Sequence, residues 1–222
     1  AGNFPSAGTV TLEAASTVDY NANAAQTIAA VSGNGYGHLT LSGALASRTK
    51  TLAGTVSVQG NLTIGSNNVL DVNTNNADLT VAGSWTNNGS FTPGTRTVTF
   101  NGSGVGNIGA SNFNNVTFSG SGTKTATGAL TIAGNVNISD NFTAGSFTHT
   151  VAGNWTKSGT FTATGSTIDF NGSGAGNIGA SNFNNVTFSG AGTKTATGAL
   201  TIAGNVTISN NFTAGAFTHL VS

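Results

Sequence analysis

Apolar and polar residues alternate over short stretches along the whole chain. A period of two is typical of β-strands, and the repeating unit shows it at a set of positions predicted to face inward: Val116, Phe118, Leu130, Ile132, Val136 and Ile138, with their partners 70 residues on. The stretches are separated by "NGSG", "SGSG" and "AGN", in which Gly and Asn can form tight turns. Helical periodicity is missing, so the pattern predicts an all-β protein.

The same pattern returns after 70 residues. Residues 101–151 recur at 171–221 with about six differences over 51 positions. A more diverged copy precedes them, which gives repeat copies of approximately 1–81, 82–151 and 152–222. Similarity this strong makes the repeat the unit of architecture, within a single domain that spans residues 1–222.

Two all-β folds are compatible with short strands and frequent turns, an antiparallel sandwich and a parallel solenoid. Triplets similar to "VTF" recur near positions 98, 116, 136, 149 and 168, in steps of 18, 20, 13 and 19 that add to 70. Nearly constant steps favour a parallel β-solenoid (β-helix), in which each coil stacks on the last. We expect about four coils in each 70-residue repeat and about twelve in the chain.

Composition narrows the classes of partner. Only 5% of the 222 residues are charged and the formal net charge is zero, so we expect no binding to nucleic acid. No apolar run approaches the ~18 residues that span a bilayer, so we expect no membrane insertion. Cysteine is absent, which excludes disulfides and thiolate chemistry. Because Ala1 is not an initiator Met, we expect a removed signal peptide and an extracellular or cell-surface location.

Two segments carry a resemblance to a known group of proteins. "AGSWTNNGSFTPGTRTVTFNGSG" and "FNNVTFSGSGTKTATGALTIAGNVNIS" resemble the Gly/Asn/Thr-rich repeats of secreted and cell-surface bacterial proteins, in the style of filamentous-haemagglutinin-type solenoid adhesins. The resemblance covers nearly the whole chain. It implies an extracellular parallel β-solenoid with a structural or adhesive role.

Residues that could support catalysis or metal binding are few and scattered. Asp19 and Asp169 share a phase of the repeat but lie far apart along the predicted solenoid, so we do not expect them to form the acid pair that hydrolysis needs. His149 and His219 also share a phase, which Leu79 fills in the first copy, and no second metal ligand lies nearby. We expect a hydrogen-bonded core or corner histidine, no metal, no cofactor and no enzymatic activity.

Lys50, Lys124 and Lys194 recur within "TKT". We expect them to point outward as solvated lysines that block lateral sheet pairing, and the alternative is a ladder that contacts an anionic glycan. The T-x-T clusters do not recur in every coil, which disfavours an ice-binding array. Asparagine is expected at turns and in stacks from coil to coil.

The two ends of the chain share one phase of the repeat. "AGNFPSAGTVTLEAASTVDY" at the start aligns with "AGNWTKSGTFTATGSTIDF" at 152–170, and the chain stops at the phase reached at Val151. Joined end to end, "FTHLV" of one molecule and "AGNF" of another would regenerate the internal "FTHTVAGNW". A contact that translates along the solenoid axis does not close and generates a filament.

The sequence therefore predicts a structural subunit of an extracellular filament or surface fibre, in which the N-terminal strand of one subunit completes the last repeat of the next. The expected partner is a second copy of the chain, with surface glycans as a further candidate. The alternative is a stretch of a long solenoid adhesin or stalk with a glycan-binding role. The predicted interface residues are Ala1, Gly2, Asn3, Phe4, Phe217, His219, Leu220 and Val221.

Overall fold

Three short strands make up each turn of the chain, and about eleven turns stack into a three-sided parallel β-solenoid. The computed structural model describes residues 10–44 and 48–222, and no helix occurs in these ranges. Successive turns pair in parallel, as in the registers Val98↔Val116 and Val116↔Val136. The predicted parallel β-solenoid is therefore confirmed, and the antiparallel sandwich is excluded.

The described strands are short and follow one another through tight turns. The first ten are β1 (Thr17–Tyr20), β2 (Gln26–Ile28), β3 (His38–Leu41), β4 (Arg48–Leu52), β5 (Val56–Val58), β6 (Leu62–Ile64), β7 (Asn68–Asp71), β8 (Leu79–Val81), β9 (Trp85–Asn87) and β10 (Ser90–Thr92). The next ten are β11 (Thr97–Phe100), β12 (Gly106–Ile108), β13 (Ser111–Phe113), β14 (Asn115–Phe118), β15 (Lys124–Ala126), β16 (Leu130–Ile132), β17 (Val136–Ile138), β18 (Asn141–Thr143), β19 (Thr148–Val151) and β20 (Trp155–Lys157). The last ten are β21 (Thr160–Thr162), β22 (Thr167–Phe170), β23 (Gly176–Ile178), β24 (Ser181–Phe183), β25 (Asn185–Phe188), β26 (Lys194–Ala196), β27 (Leu200–Ile202), β28 (Val206–Ile208), β29 (Phe212–Thr213) and β30 (Leu220–Val221).

The strands form three sides that run along the whole rod. The first side is the ladder β1-β3-β6-β9-β12-β15-β18-β21, followed by β24-β27-β30. The second side is β5-β8-β11-β14-β17-β20-β23-β26-β29, which a bridge between Tyr36 and Val58 extends by one position. The third side is β2-β4-β7-β10, followed by β13-β16-β19-β22-β25-β28. Where a ladder is interrupted, β13 packs beside β10 and β24 packs beside β21.

Inward residues of all three sides fill one continuous core. The predicted inward positions of the second repeat are all buried, with exposed fractions of 3% or less. Their partners are buried as well, except in β28, where Val206 is half-buried and Ile208 is 54% exposed. Alternation within three-residue strands therefore identified the core correctly, and the exceptions fall in the last turn.

The 70-residue repeat does not contain a whole number of turns. Lys50 lies in β4, Lys124 in β15 and Lys194 in β26, so equivalent residues are eleven strands apart. Eleven strands at three strands a turn make three and two-thirds turns, which refines the expected four coils. The 13-residue step from Val136 to His149 is the cause, because it joins β17 on the second side to β19 on the third. Each repeat is therefore rotated by one side relative to the previous repeat.

Candidate subunit interface at the C-terminal turn

The predicted interface residues fall into two groups. Phe217, His219, Leu220 and Val221 lie in the last described turn, close to or within β30. Ala1, Gly2, Asn3 and Phe4 lie outside the described residues. The geometry of the first group defines one candidate contact surface, which we call the terminal edge: the outer edges of β28, β29 and β30, with the turns that connect them.

Large apolar side chains are exposed on the terminal edge. The exposed fractions are 54% for Ile208, 44% for Phe217, 57% for Leu220 and 58% for Val221. In the described part of the chain, Val105 is the one other large apolar residue of comparable exposure, at 73%. These four side chains all lie in the last turn of the described rod, where no described strand covers them.

Sequence reasoning missed three members of this surface, Val206, Ile208 and Phe212. The signal that could have found them was available, because their counterparts 70 residues earlier are Val136, Ile138 and Phe142. Those counterparts are covered by β20 and β21 of the next turn. The predicted interface residues lie in or next to β30, and they leave out β28 and β29, which form the other two sides of the same turn.

Backbone groups are also free on the terminal edge. Within the described ranges, β28 pairs only with β25, β29 only with β26 and β30 only with β27. A strand with one partner leaves a row of N–H and C=O groups that can pair with another strand. The terminal edge thus offers three parallel pairing sites together with an apolar centre.

The interior of the rod shows what such an edge looks like when it is covered. One repeat earlier, Val136 pairs with Trp155, Phe142 with Phe161 and Val151 with Phe170. The ring of Trp155 lies 4.9 Å from that of Phe161 and 6.2 Å from that of Phe170, measured between centroids. Its indole N–H donates a 2.8 Å hydrogen bond to Ser181 Oγ.

The two equivalent histidines differ in exposure but make the same bonds. His149 is 2% exposed; its Nδ1 accepts the Leu130 N–H at 3.0 Å and its Nε2 lies 2.8 Å from the Ala144 carbonyl. Because a carbonyl only accepts, Nε2 carries the proton. Burial lowers the pKa of His149, against a smaller opposing effect of the Ala144 hydrogen bond. This confirms the predicted hydrogen-bonded core histidine.

His219 repeats this geometry in the last turn. Its Nδ1 accepts the Leu200 N–H at 3.1 Å, and its Nε2 lies 2.7 Å from the Ala214 carbonyl. The ring is only half-buried, because no described strand lies over it. The histidine is therefore already oriented as in the interior, while one side of it stays open.

The prediction of outward, solvated lysines was wrong. Lys50, Lys124 and Lys194 are each 0% exposed. Alternation within β15 directs Thr125 outward and Lys124 inward, so the aliphatic stem crosses the core and the ammonium group reaches a corner of the turn. The lysine ladder proposed for glycans is also wrong, because the three residues lie on three different sides of the rod.

Each lysine ammonium group is held by inward-pointing oxygens. Lys194 Nζ donates to the carbonyls of Gly172, Gly174 and Gly192 at 2.7, 2.8 and 2.9 Å, which uses all three of its protons. Lys124 Nζ donates to the carbonyls of its equivalent turn at 2.6 Å each. Burial lowers the pKa of both lysines. Each of these ammonium groups satisfies backbone carbonyls at a tight corner, so neither of the two is directed toward an external ligand.

The corner also explains the local glycines. A Cβ on Gly102 would come within 1.7 Å of the Ala82 carbonyl oxygen, and one on Gly122 within 1.9 Å of the Gly104 carbonyl oxygen. Backbones of successive turns approach too closely here for any side chain. Gly102 of "NGSG" and Gly122 of "SGSG" are therefore required by the corner that surrounds the lysine.

Asparagines form a ladder along a corner of the rod. Asn135 N donates to Asn115 Oδ1 at 2.9 Å, Asn154 N to Asn135 Oδ1 at 2.8 Å, and Asn177 N to Asn154 Oδ1 at 2.8 Å. Each side chain thus accepts the backbone amide of the next turn. The expectation of stacked asparagines is confirmed, with the backbone rather than a second side chain as donor.

The carboxylates serve the structure as well. Asp19 accepts from Ser42 Oγ and Asp169 from Ser189 Oγ, each at 2.6 Å across adjacent turns. In the described ranges no three His, Cys, Asp or Glu side chains are grouped closely enough to hold a metal ion. Among the same residues no helix is long and apolar enough to cross a membrane.

Comparisons with protein-family models, with curated proteins and with solved structures found no match to this chain. The class of protein is thus defined by the fold itself, a three-sided parallel β-solenoid with a 70-residue repeat.

Proposed function

We propose that the chain is a structural subunit of an extracellular filament or surface fibre, and that its copies join head to tail. The observation that carries the proposal is the terminal edge, where Ile208 and Val221 are exposed although their sequence equivalents Ile138 and Val151 are buried. An apolar edge with free backbone groups on all three sides is matched by a segment that supplies the next turn. The N-terminal residues of a second copy have the sequence of that turn.

The composition supports the extracellular part of the proposal. The chain has neither cysteine nor methionine, the side chains that oxidise most readily, and this suits long exposure to oxygen. The proposal includes no catalytic step. Turnover of a glycan that disappears in Asp140→Asn or Asp169→Asn would contradict this part of it.

A long solenoid adhesin or stalk is the alternative, favoured by the near identity of residues 101–151 and 171–221. In that case further turns of the same polypeptide would cover the terminal edge. Surface glycans remain candidate partners of such a stalk. With Lys50, Lys124 and Lys194 buried, other side chains of the rod would have to carry the recognition.

The test is assembly of the 222-residue chain as a function of concentration. We expect sedimentation velocity and negative-stain microscopy to show filaments one solenoid wide. Deletion of residues 1–12, or a bulky charged cap after Ser222, should leave single rods of unchanged far-UV circular dichroism. A chain that stays monomeric at high concentration, or variants that still form normal filaments, would overturn head-to-tail joining.

A further inference from the structure

The lysine corner of the first repeat differs from the corners of the other two repeats. Lys50 pairs with Gln26 of the preceding turn, whereas Lys124 pairs with Gly106 and Lys194 with Gly176. In the second and third repeats the ammonium group donates to backbone carbonyls. The first repeat therefore adds a side-chain amide where the other repeats have a glycine.

Lys50 and Gln26 meet inside the corner. Lys50 is 0% exposed and Gln26 is 8% exposed. Lys50 Nζ donates to Gln26 Oε1 at 2.7 Å, and to the carbonyls of Ala22 and Ala24 at 2.7 and 2.9 Å. Because a C=O bond is about 1.23 Å long, Nζ lies within about 3.9 Å of the amide carbon Cδ of Gln26. The two atoms are therefore close to the separation of about 3–3.5 Å from which a nucleophile attacks.

We propose that Lys50 and Gln26 become joined by an isopeptide bond that forms within the folded chain. Nζ of Lys50 attacks Cδ of Gln26, so a new C–N bond forms and the bond between Cδ and Nε2 breaks. The amide nitrogen leaves as ammonium and carries away the two protons that the lysine ammonium group gives up. Atoms and charge balance, so the reaction needs no further reactant.

The hydrogen bonds of the corner suit this reaction. When Nζ gives up the proton that it directs at Gln26, its other two protons stay on the carbonyls of Ala22 and Ala24. The lone pair that is freed then faces the side-chain amide. The N–H of Ala22 donates to Gln26 Oε1 at 3.2 Å, and it would stabilise the negative charge that develops on this oxygen during the attack.

Electrostatics favour the product as well. Burial lowers the pKa of Lys50; the charge of Asp19 opposes this effect and that of Arg48 adds to it. A buried ammonium group is costly, whereas the product is a neutral amide. The bond would connect β2 to β4 across adjacent turns and close residues 26–50 into a loop. A closed loop restricts the unfolded chain, so these turns should resist unravelling.

The test is intact mass spectrometry of the full-length chain after prolonged incubation in buffer. We expect the mass to fall by that of one ammonia. Because trypsin does not cut after an acylated lysine, fragment 1–48 should be recovered joined to fragment 49–96. Fragmentation should place the link between Gln26 and Lys50, which separates it from ring closure at Asn-Gly sequences, a reaction that also releases ammonia.

Lys124 and Lys194 are internal controls, because their strand neighbours offer no side-chain amide, and trypsin should cut after both. Gln26→Glu keeps an oxygen acceptor for Lys50 but removes the amide, so this variant should fold and retain fragment 1–48 unlinked. Cleavage after Lys50 that is as complete as cleavage after Lys124 would overturn the proposal. A link that forms equally in chain held in denaturant would overturn it too, because the folded corner would then play no part.

Discussion

The second and third repeats differ at only about six of 51 aligned positions, yet their last strands lie in opposite environments. Ile138 is 0% exposed and Ile208 is 54% exposed; Val151 is 0% exposed and Val221 is 58% exposed. Local sequence cannot cause this difference, because the segments are almost the same. What differs is the turn that stacks above, which β20–β22 provide for the second repeat.

The comparison shows that burial in this rod is a property of neighbouring turns. In a solenoid each unit contacts only its neighbours, so stability is close to a sum of repeat terms and interface terms. Residues such as Lys194, one turn below the end, already have the interior environment. Only the outermost turn should therefore behave differently from its counterpart.

The largest expected contrast is between Ile138→Ala and Ile208→Ala. Truncating the buried Ile138 should destabilise its turn by about 2–5 kcal/mol, because it leaves a cavity that the stacked turns cannot close. Truncating Ile208 in the unassembled chain should cost less than about 1 kcal/mol, since half of its side chain is already in water. Amide hydrogen exchange resolved by turn measures both, and equal costs would contradict the comparison.

The next largest effect should come from the buried lysines. Lys124→Met removes the donor for the Gly102 and Gly122 carbonyls, and unsatisfied buried acceptors should cost about 1–3 kcal/mol. Lys194→Met should cost the same, because Lys194 is equally buried in the last repeat. Lys157→Met, at a partly exposed position, should change stability by less than ~0.5 kcal/mol and is the matched control. A much smaller loss of stability for Lys194→Met than for Lys124→Met would show that the exposed last turn also weakens the turn below it.

A pH dependence should follow from His149. Burial lowers its pKa in the folded chain, so the unfolded chain takes up the proton first as the pH falls. The stabilisation is fully present above the ordinary histidine pKa of about 6.5 and is lost progressively below it. We expect exchange of the Leu130 amide, corrected for its intrinsic rate, to accelerate on acidification from about pH 7.5 to about pH 5. His149→Leu, which copies Leu79 of the first repeat, should flatten this profile; a profile unchanged in the variant would assign the effect to another group.

The smallest expected effect is in the asparagine ladder. Asn135→Ala removes the acceptor for the Asn154 amide and should cost about 0.5–1.5 kcal/mol locally. Asn205 is its counterpart in the last repeat, where its side chain accepts no such amide from the described residues. Asn205→Ala should therefore leave stability unchanged in the unassembled chain. Exchange of the amides next to each position makes the measurement, and a loss at Asn205 as large as at Asn135 would refute the ladder.

The fold and the core were predictable because both follow from alternation and stacking. Val116 and Phe118, two residues apart, face the core in every copy, and the Gly/Asn turns fix where each strand stops. The number of sides was not predictable from triplets alone. Strands such as β12 (Gly106–Ile108) carry a single large apolar residue and escape a search for apolar pairs.

The buried lysines and the terminal edge show more clearly what could not be predicted from the sequence. A charged residue in a strand is ordinarily assigned to the outer face, since a buried ammonium group is costly without partners. Here backbone carbonyls of two adjacent turns supply those partners, and only the folded chain brings Gly172, Gly174 and Gly192 around one nitrogen. The exposure of Ile208 likewise depends on whether a turn lies above it, and the alternation within β28 carries no information on that.

Eleven strands per repeat are not a multiple of the three sides of the rod. Successive repeats are therefore related by a screw rotation about the rod axis. Each repeat carries its side-chain pattern up by three and two-thirds turns, about 18 Å, and round the axis by a third of a revolution. Identical surface patches therefore trace a spiral, and any single side shows the same patch only every ~53 Å. Each added 70-residue repeat places its equivalent residues on the next side of the rod. Duplication therefore lengthens the rod, but it does not concentrate one kind of residue on any one side. Two rods that touch along one side would thus each present a mixture of the patches rather than one repeated patch, which disfavours a regular lateral contact.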